Sequence, residues 1–318
     1  MKNIYSITGI ICFIAIALSC KKENEVNPYA TLPAVSNNQP DLEELEPGNF
    51  AWLHAKIFQP TCANSGCHDG TFEPEFRSIS SSYNTLVNHP VISNDLQNSY
   101  QYRVVPGNLQ ASLLNTRLLE ALPNSSGIMP LSLSQGSDWP QMSNEYIQRI
   151  QEWILGGAKD MFGNPAPSAG ADFPPQVMGL LAFPAGNISN PYQRVDGEAL
   201  SPIQIDAANV DLWVYWTDDQ TPAEELSATI IKWSESSSDF EFASTSNMNI
   251  SGPLSGPDFS NNTVQYLHKA TIDFSGLSPG ETFFIRCYAS DGEQEQTTEV
   301  PNNGSSDLVT AIFVLQIQ

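Results

Sequence analysis

The stretch Ile57-Phe58-Gln59-Pro60-Thr61-Cys62-Ala63-Asn64-Ser65-Gly66-Cys67-His68-Asp69-Gly70 decides how the first half of this chain is read. Two cysteines five positions apart, with a histidine directly after the second, make a C-x4-C-H sequence. That spacing permits a disulfide. It also permits c-type haem attachment, in which two thiols bond to the vinyl groups of one haem and the following imidazole takes the iron, so all three side chains must share one short loop. The usual spacing is C-x-x-C-H, and two extra residues widen the loop here. Zinc fits poorly, because three ligands are local and no fourth is evident.

Upstream, Phe50, Leu53, Ile57 and Phe58 follow helical spacing, with Asn49 placed to cap a helix and Pro60 to end it. Downstream, Tyr146, Ile147, Ile150, Trp153 and Ile154 form a second, stronger stripe closed by Gly156-Gly157. Between them, Gly127-Ile128-Met129-Pro130 carries a thioether on a loop. With Tyr102-Arg103-Val104-Val105-Pro106-Gly107 and Trp153-Ile154-Leu155-Gly156-Gly157-Ala158 in the same order, the stretch from about Asn49 to Asp160 resembles the cytochrome c domains of multidomain exported bacterial proteins. The resemblance implies one covalent haem c on Cys62 and Cys67, with His68 as proximal iron ligand and Met129 as distal ligand. Met142, Met161, His54 and His89 compete with Met129 for the distal position. An iron filled by His68 and Met129 favours electron transfer over ligand chemistry.

The N-terminus reads as an address. Lys2 precedes an apolar run from Ile4 to Leu18 that is too short to span a membrane and stay. The following Ser19-Cys20-Lys21-Lys22-Glu23 resembles lipoprotein signals of the Bacteroidetes. That implies cleavage before Cys20, lipidation of Cys20 and an anchor in the outer membrane, facing the periplasm or the cell surface. Residues 20–46 are polar and contain prolines, as a tether would.

Composition bounds the partners. The 318 residues carry 13 Lys+Arg against 35 Asp+Glu, a net charge of −22, which argues against nucleic acid as a partner. Charged residues are 15% of the chain, against about 25% in ordinary domains, so Ser, Asn, Gln and Thr must build much of the surface. Hydrophobic residues at 41% are enough to build real cores.

Pro165, Pro167, Gly170, Pro174 and Pro175 mark a linker over 163–176, after which the pattern alternates with period two. Strands are expected over Val177 to Phe183, Val210 to Trp216, Leu226 to Trp233, Thr263 to Phe274, Thr282 to Ala289 and Leu308 to Ile317. Weaker ones are expected over Pro202 to Asp206 and Phe240 to Ala243. Leu277 to Ala289 resembles a corner and strand of fibronectin type III and related immunoglobulin-like modules, with Phe283 where that family has a tyrosine. Cys287 falls on the buried face of that strand. Asp218-Asp219, Glu224-Glu225 and Asp291-Gly292-Glu293 read as solvated turns before they read as a Ca²⁺ site.

The expected architecture is therefore a signal peptide (1–19), a lipidated tether (20–46), a mainly α cytochrome c-like domain (47–162), a linker (163–176) and an all-β immunoglobulin-like sandwich (177–318). The expected function is single-electron transfer by a membrane-anchored monohaem c-type cytochrome to or from a redox protein partner. The rival reading is a haem-free surface lipoprotein with a Cys62–Cys67 disulfide and a glycan- or protein-binding β region. An enzyme, for instance one with peroxidase-like activity at an iron that Met129 does not fill, ranks behind both, since no hydrolase, zincin, P-loop or dinucleotide motif is present.

Overall fold

In the computed structural model, ten strands in two sheets build the second half of the chain among the described residues, which are 40–123, 127–134, 136–195, 200–293 and 297–318. The expected signal peptide, Cys20 and residues 21–39 of the expected tether lie outside the described residues. One sheet runs β1 (Gln176–Pro184), β3 (Asn209–Thr217), β7 (Thr263–Asp273), β6 (Asn249–Pro257), with every neighbouring pair antiparallel. The other runs β2 (Ile203–Ile205), β10 (Val314–Ile317), β8 (Thr282–Ser290), β4 (Ser227–Ser234), β5 (Ser244–Asn247), with β9 (Thr298–Val300) on β8. Only β2 and β10 are parallel.

Alternation sets the faces. Val210, Leu212, Val214 and Trp216 of β3 enter the main core, whereas Trp213 joins Leu181, Phe183, Leu254 and Tyr266 in a smaller cluster on the opposite face. β1 is covered on both sides and is buried from Gln176 to Phe183, which is why it reads as an unbroken apolar run.

The helical elements are short: α1 (Phe50–Leu53), a π-helix (His54–Cys62), α2 (Ile79–Leu86), α3 (Leu113–Leu119), α4 (Trp139–Leu155) and α5 (Asp307–Ile312). This corrects the expectation of a mainly α cytochrome c-like domain followed by an all-β immunoglobulin-like sandwich. The molecule is mostly β, and among the described residues only α4 and the nine-residue π-helix exceed eight residues, because the connecting stretches are rich in Gly, Pro, Asn and Ser. Nor do the helices close a core of their own. Phe50, Leu53, Ile57, Tyr83, Ile150 and Trp153 share one hydrophobic core with Val177, Leu180, Val214 and Phe313. Ring contacts cross it at 5.9 Å between Tyr83 and Phe173 and at 6.2 Å between Phe162 and Phe313. The described residues all belong to one compact unit.

Local chemistry explains the remaining differences. Asn49 does cap α1, its Oδ1 accepting from the Ala51 N–H at 2.8 Å, but Pro60 does not end the helix. In an α-helix the Pro60 ring would strike the carbonyl four residues back. The wider π coil avoids that clash, and the Ala63 N–H donates five residues back to Phe58 at 3.2 Å. The expected strand over Leu308 to Ile317 is α5 followed by β10, with Ser306 capping the helix through the Val309 N–H. Phe240 to Ala243 is not a strand, and pairing begins at Ser244. No helix of the described residues is long and apolar enough to cross a membrane.

Candidate functional site

The π-helix delivers Cys62 to the start of a tight loop. The His68 N–H reaches back to the Cys62 carbonyl at 3.4 Å and the Cys67 N–H to the Asn64 carbonyl at 2.9 Å, so Cys62, Cys67 and His68 share one turn of chain. Both thiols are unpaired. Burial pushes the Cys62 thiol up to about 12, and the neighbouring Cys67 adds to the effect. Cys287 is fully buried on β8 and takes no part in the loop.

A second segment lies on this loop. Asn64 Nδ2 donates to the Thr61 carbonyl at 3.0 Å and to the Ser132 carbonyl at 3.3 Å. Ser134 Oγ donates to the Pro60 carbonyl at 2.6 Å, the hydroxyls of Thr61 and Ser137 meet at 3.1 Å, and Ser132 Oγ lies 4.0 Å from Cys67 Sγ. That segment follows Met129, whose N–H donates to the Arg117 carbonyl at the end of α3 at 2.8 Å and whose side chain is half-buried against the core. The structure thus joins Cys62, Cys67 and His68 directly and lays the chain following Met129 over them.

His68 follows Cys67 directly, and its Nδ1 faces the Phe72 carbonyl at 3.3 Å, with the Pro74 backbone a second hydrogen-bond partner of the ring. Burial pulls the imidazole below its ordinary range, and the positive charges of Arg103 and Arg117 act in the same direction. The Phe76 ring meets His68 edge-on at 5.3 Å and stacks on Phe58 at 4.9 Å.

Large apolar side chains stand in water around this loop. Phe72 is 63% exposed, Leu131 52% and Leu133 41%, with Ile128 also exposed beside Met129. Leu131 and Leu133 flank Ser132, and Phe72 supplies the carbonyl that His68 faces. The sequence analysis did not single out these exposed side chains, whose signal is several apolar residues within Gly-, Ser- and Pro-rich loops.

His54, His89 and Met161 are engaged elsewhere, whereas Met142 is as half-buried as Met129. His54 is buried on the π-helix, with Nε2 on the Phe76 carbonyl at 3.2 Å, and Met161 is buried in the core. His89 lies 3.8 Å from Glu73, which also pairs with the buried Arg103 at 2.7 Å. Met142 packs half-buried against the core. The Tyr102 to Gly107 stretch is a brace: Arg103 donates to the Thr85 carbonyl at 2.7 Å and the Gly107 N–H to the Ile154 carbonyl at 2.7 Å. Among the acidic residues, Asp218 and Asp219 gather with Asp172, their carboxylate oxygens within 4.8 Å of one another, and burial with mutual repulsion pushes Asp172 up to about 6.

By the chemistry of the donor set, two free thiols and the imidazole of the next residue on one loop are the groups that could hold a c-type haem. No family model, curated protein or solved structure matches the chain.

Proposed function

We propose that this chain is a c-type haem protein that passes single electrons between redox partners outside the cytoplasm, anchored to the outer membrane by a lipid on Cys20. The observation that carries the reading is the pair of unpaired thiols at Cys62 and Cys67 with the oriented His68, on a loop hydrogen-bonded to the segment that follows Met129. Cys62 and Cys67 would hold the haem through thioether bonds, His68 through its imidazole and Met129 through its sulfur. The chemistry supplied by a bound haem is a one-electron Fe(III)/Fe(II) couple.

The chain's own residues account for the rest. The Phe72 and Pro74 backbone contacts hold the His68 ring in place. Phe72, Leu131 and Leu133 are exposed in the haem-free chain and are the apolar side chains that a bound haem would cover. A partner meets a protein of net charge −22, so a basic docking face is expected on it, with association that weakens as salt rises.

The test is a redox titration of the protein exported from a host with c-type maturation machinery. One reversible one-electron wave, shifted in Met129→Ala and lost in His68→Ala, is the expected result. A colourless protein with a Cys62–Cys67 disulfide would overturn the reading in favour of a haem-free binding module.

A further inference from the structure

Two loops far apart in sequence close in the same way: Asp160-Met161-Phe162-Gly163-Asn164 and Asp258-Phe259-Ser260-Asn261-Asn262. In the first, Asp160 Oδ1 accepts the N–H groups of Phe162 and Asn164 at 2.9 and 2.8 Å, and Oδ2 accepts Asn164 Nδ2 at 2.9 Å. In the second, Asp258 Oδ1 accepts the N–H groups of Ser260 and Asn262, both at 2.8 Å, and Oδ2 accepts Asn262 Nδ2 at 3.3 Å. Each Asp N–H donates to the carbonyl of its final Asn, at 3.1 and 2.9 Å. The fourth residue is left-handed in both, Gly163 at φ 87° and Asn261 at φ 64°, as such a closure needs. Both aspartates are buried.

The two clasps grip opposite ends of the helical segment that ends in Cys62. At its start, Asn49 caps α1 with Oδ1 and donates through Nδ2 to the Met161 carbonyl of the first clasp at 2.9 Å. Near its end, Gln59 donates to the Ser260 carbonyl of the second clasp at 3.3 Å. Each clasp also holds a neighbour. Ser260 Oγ accepts the Ile79 N–H at the start of α2 at 3.0 Å, and Asn262 Nδ2 donates to the Arg77 carbonyl at 3.0 Å. Asn164 Oδ1 accepts from Asn302 at 2.6 Å, and a Cβ on Gly163 would lie 2.9 Å from the Gly304 carbonyl oxygen.

We propose that Asp160 and Asp258 are positioning residues for the Cys62, Cys67 and His68 site, holding the α1 and π-helix segment at both ends so that Cys62 meets the loop in a fixed place. The role of that loop rests on the function proposed above. The clasps themselves can be read without the cofactor.

The test compares Asp160→Asn, Asp258→Asn, Asn49→Asp and Gln59→Ala with Ile231→Ala, a substitution in the core of β4. Asn49→Asp keeps the cap on Ala51 and replaces the donor to Met161 with an acceptor. Gln59→Ala removes the donor to the Ser260 carbonyl and its longer contact with the Arg77 carbonyl. In the haem-free protein, iodoacetamide alkylation of Cys62 is followed by mass spectrometry beside thermal stability. Clasp variants are expected to react about fivefold faster, as for the loss of one good hydrogen bond, while Ile231→Ala at comparable stability does not. Alkylation no faster than in Ile231→Ala would overturn the proposal. If the aspartate variants fail to fold, Asn49→Asp and Gln59→Ala decide the matter alone. In the haem-loaded protein the clasp variants shift the reduction potential and Ile231→Ala leaves it in place. A wild type that binds no haem overturns the proposed function but leaves the alkylation result to judge the clasps.

Discussion

His54 and Asp160 show how burial alone sets opposite pH responses in one core. Burial pulls His54 from 6.5 down to about 4, so the folded state prefers its neutral form. Its contribution to stability is complete above pH 6.5 and is lost as pH falls towards 4, by up to roughly 3 kcal/mol. Asp160 is pushed the other way, from 3.8 up to about 6, with burial outweighing the hydrogen bonds it accepts. The folded state therefore binds its proton more tightly, and that stabilisation, full below pH 3.8, is lost as pH rises through 6. His54→Gln should thus gain stability relative to the wild type as pH is lowered from 7 to 4, measured by urea unfolding at each pH. A constant difference across that range would contradict the assignment. The thiols give a second prediction at this scale. Cys62, raised to about 12, should be alkylated far more slowly at pH 8 than an unstructured cysteine, and unfolding in urea should abolish the protection.

At the scale of elements, legibility followed the physics of each pattern. β7 and β8 could be read from alternation because each buries an apolar face formed by residues two apart, β1 and β3 as near-continuous apolar runs because they are covered on both faces, and β4 from its Thr, Ile and Trp content. β6 could not: Asn249-Ile250-Ser251-Gly252-Pro253-Leu254-Ser255-Gly256-Pro257 is Gly- and Pro-rich and is held as an edge strand by its pairing with β7. α5 read as strand because a short apolar run does not separate the two periods. α2 and α3 were passed over because they are short and carry Ser, Asn and Thr. In α2 the decisive signal was local: Ser78 and Ser81 form a reciprocal capping box. Ser78→Ala should cost about 1 kcal/mol, measured by chemical denaturation, and an unchanged midpoint would show that packing alone holds α2. Of the candidate site, the Cys62, Cys67 and His68 loop was legible from spacing. The exposed Phe72, Leu131 and Leu133 were not, since nothing local says that separate loops meet.

At the scale of the molecule, the helical elements and the sheets depend on one another. The helical layer and the strands share one core, and the two aspartate clasps fasten that layer on both sides. A fragment of residues 47–162 would leave Tyr83 without Phe173 and Phe162 without Phe313. It should therefore lack a cooperative thermal transition in circular dichroism, whereas residues 40–318 should show one. A sharp transition in the fragment would show that the helical layer folds alone. This interdependence was invisible in the sequence, because the Pro-rich stretch from Pro165 to Pro175 looks like a linker between independent parts while Phe173 in fact packs on Tyr83.

Denaturing electrophoresis with haem staining, together with intact mass, decides whether Cys62, Cys67 and His68 carry a covalent haem. The protein is produced with c-type maturation machinery, beside a Cys62→Ala/Cys67→Ala control. Stain that stays with the unfolded chain, a mass increased by one haem, and loss of both in the control are the expected result. An unstained chain of unmodified mass, or stain that persists without the two cysteines, would contradict it.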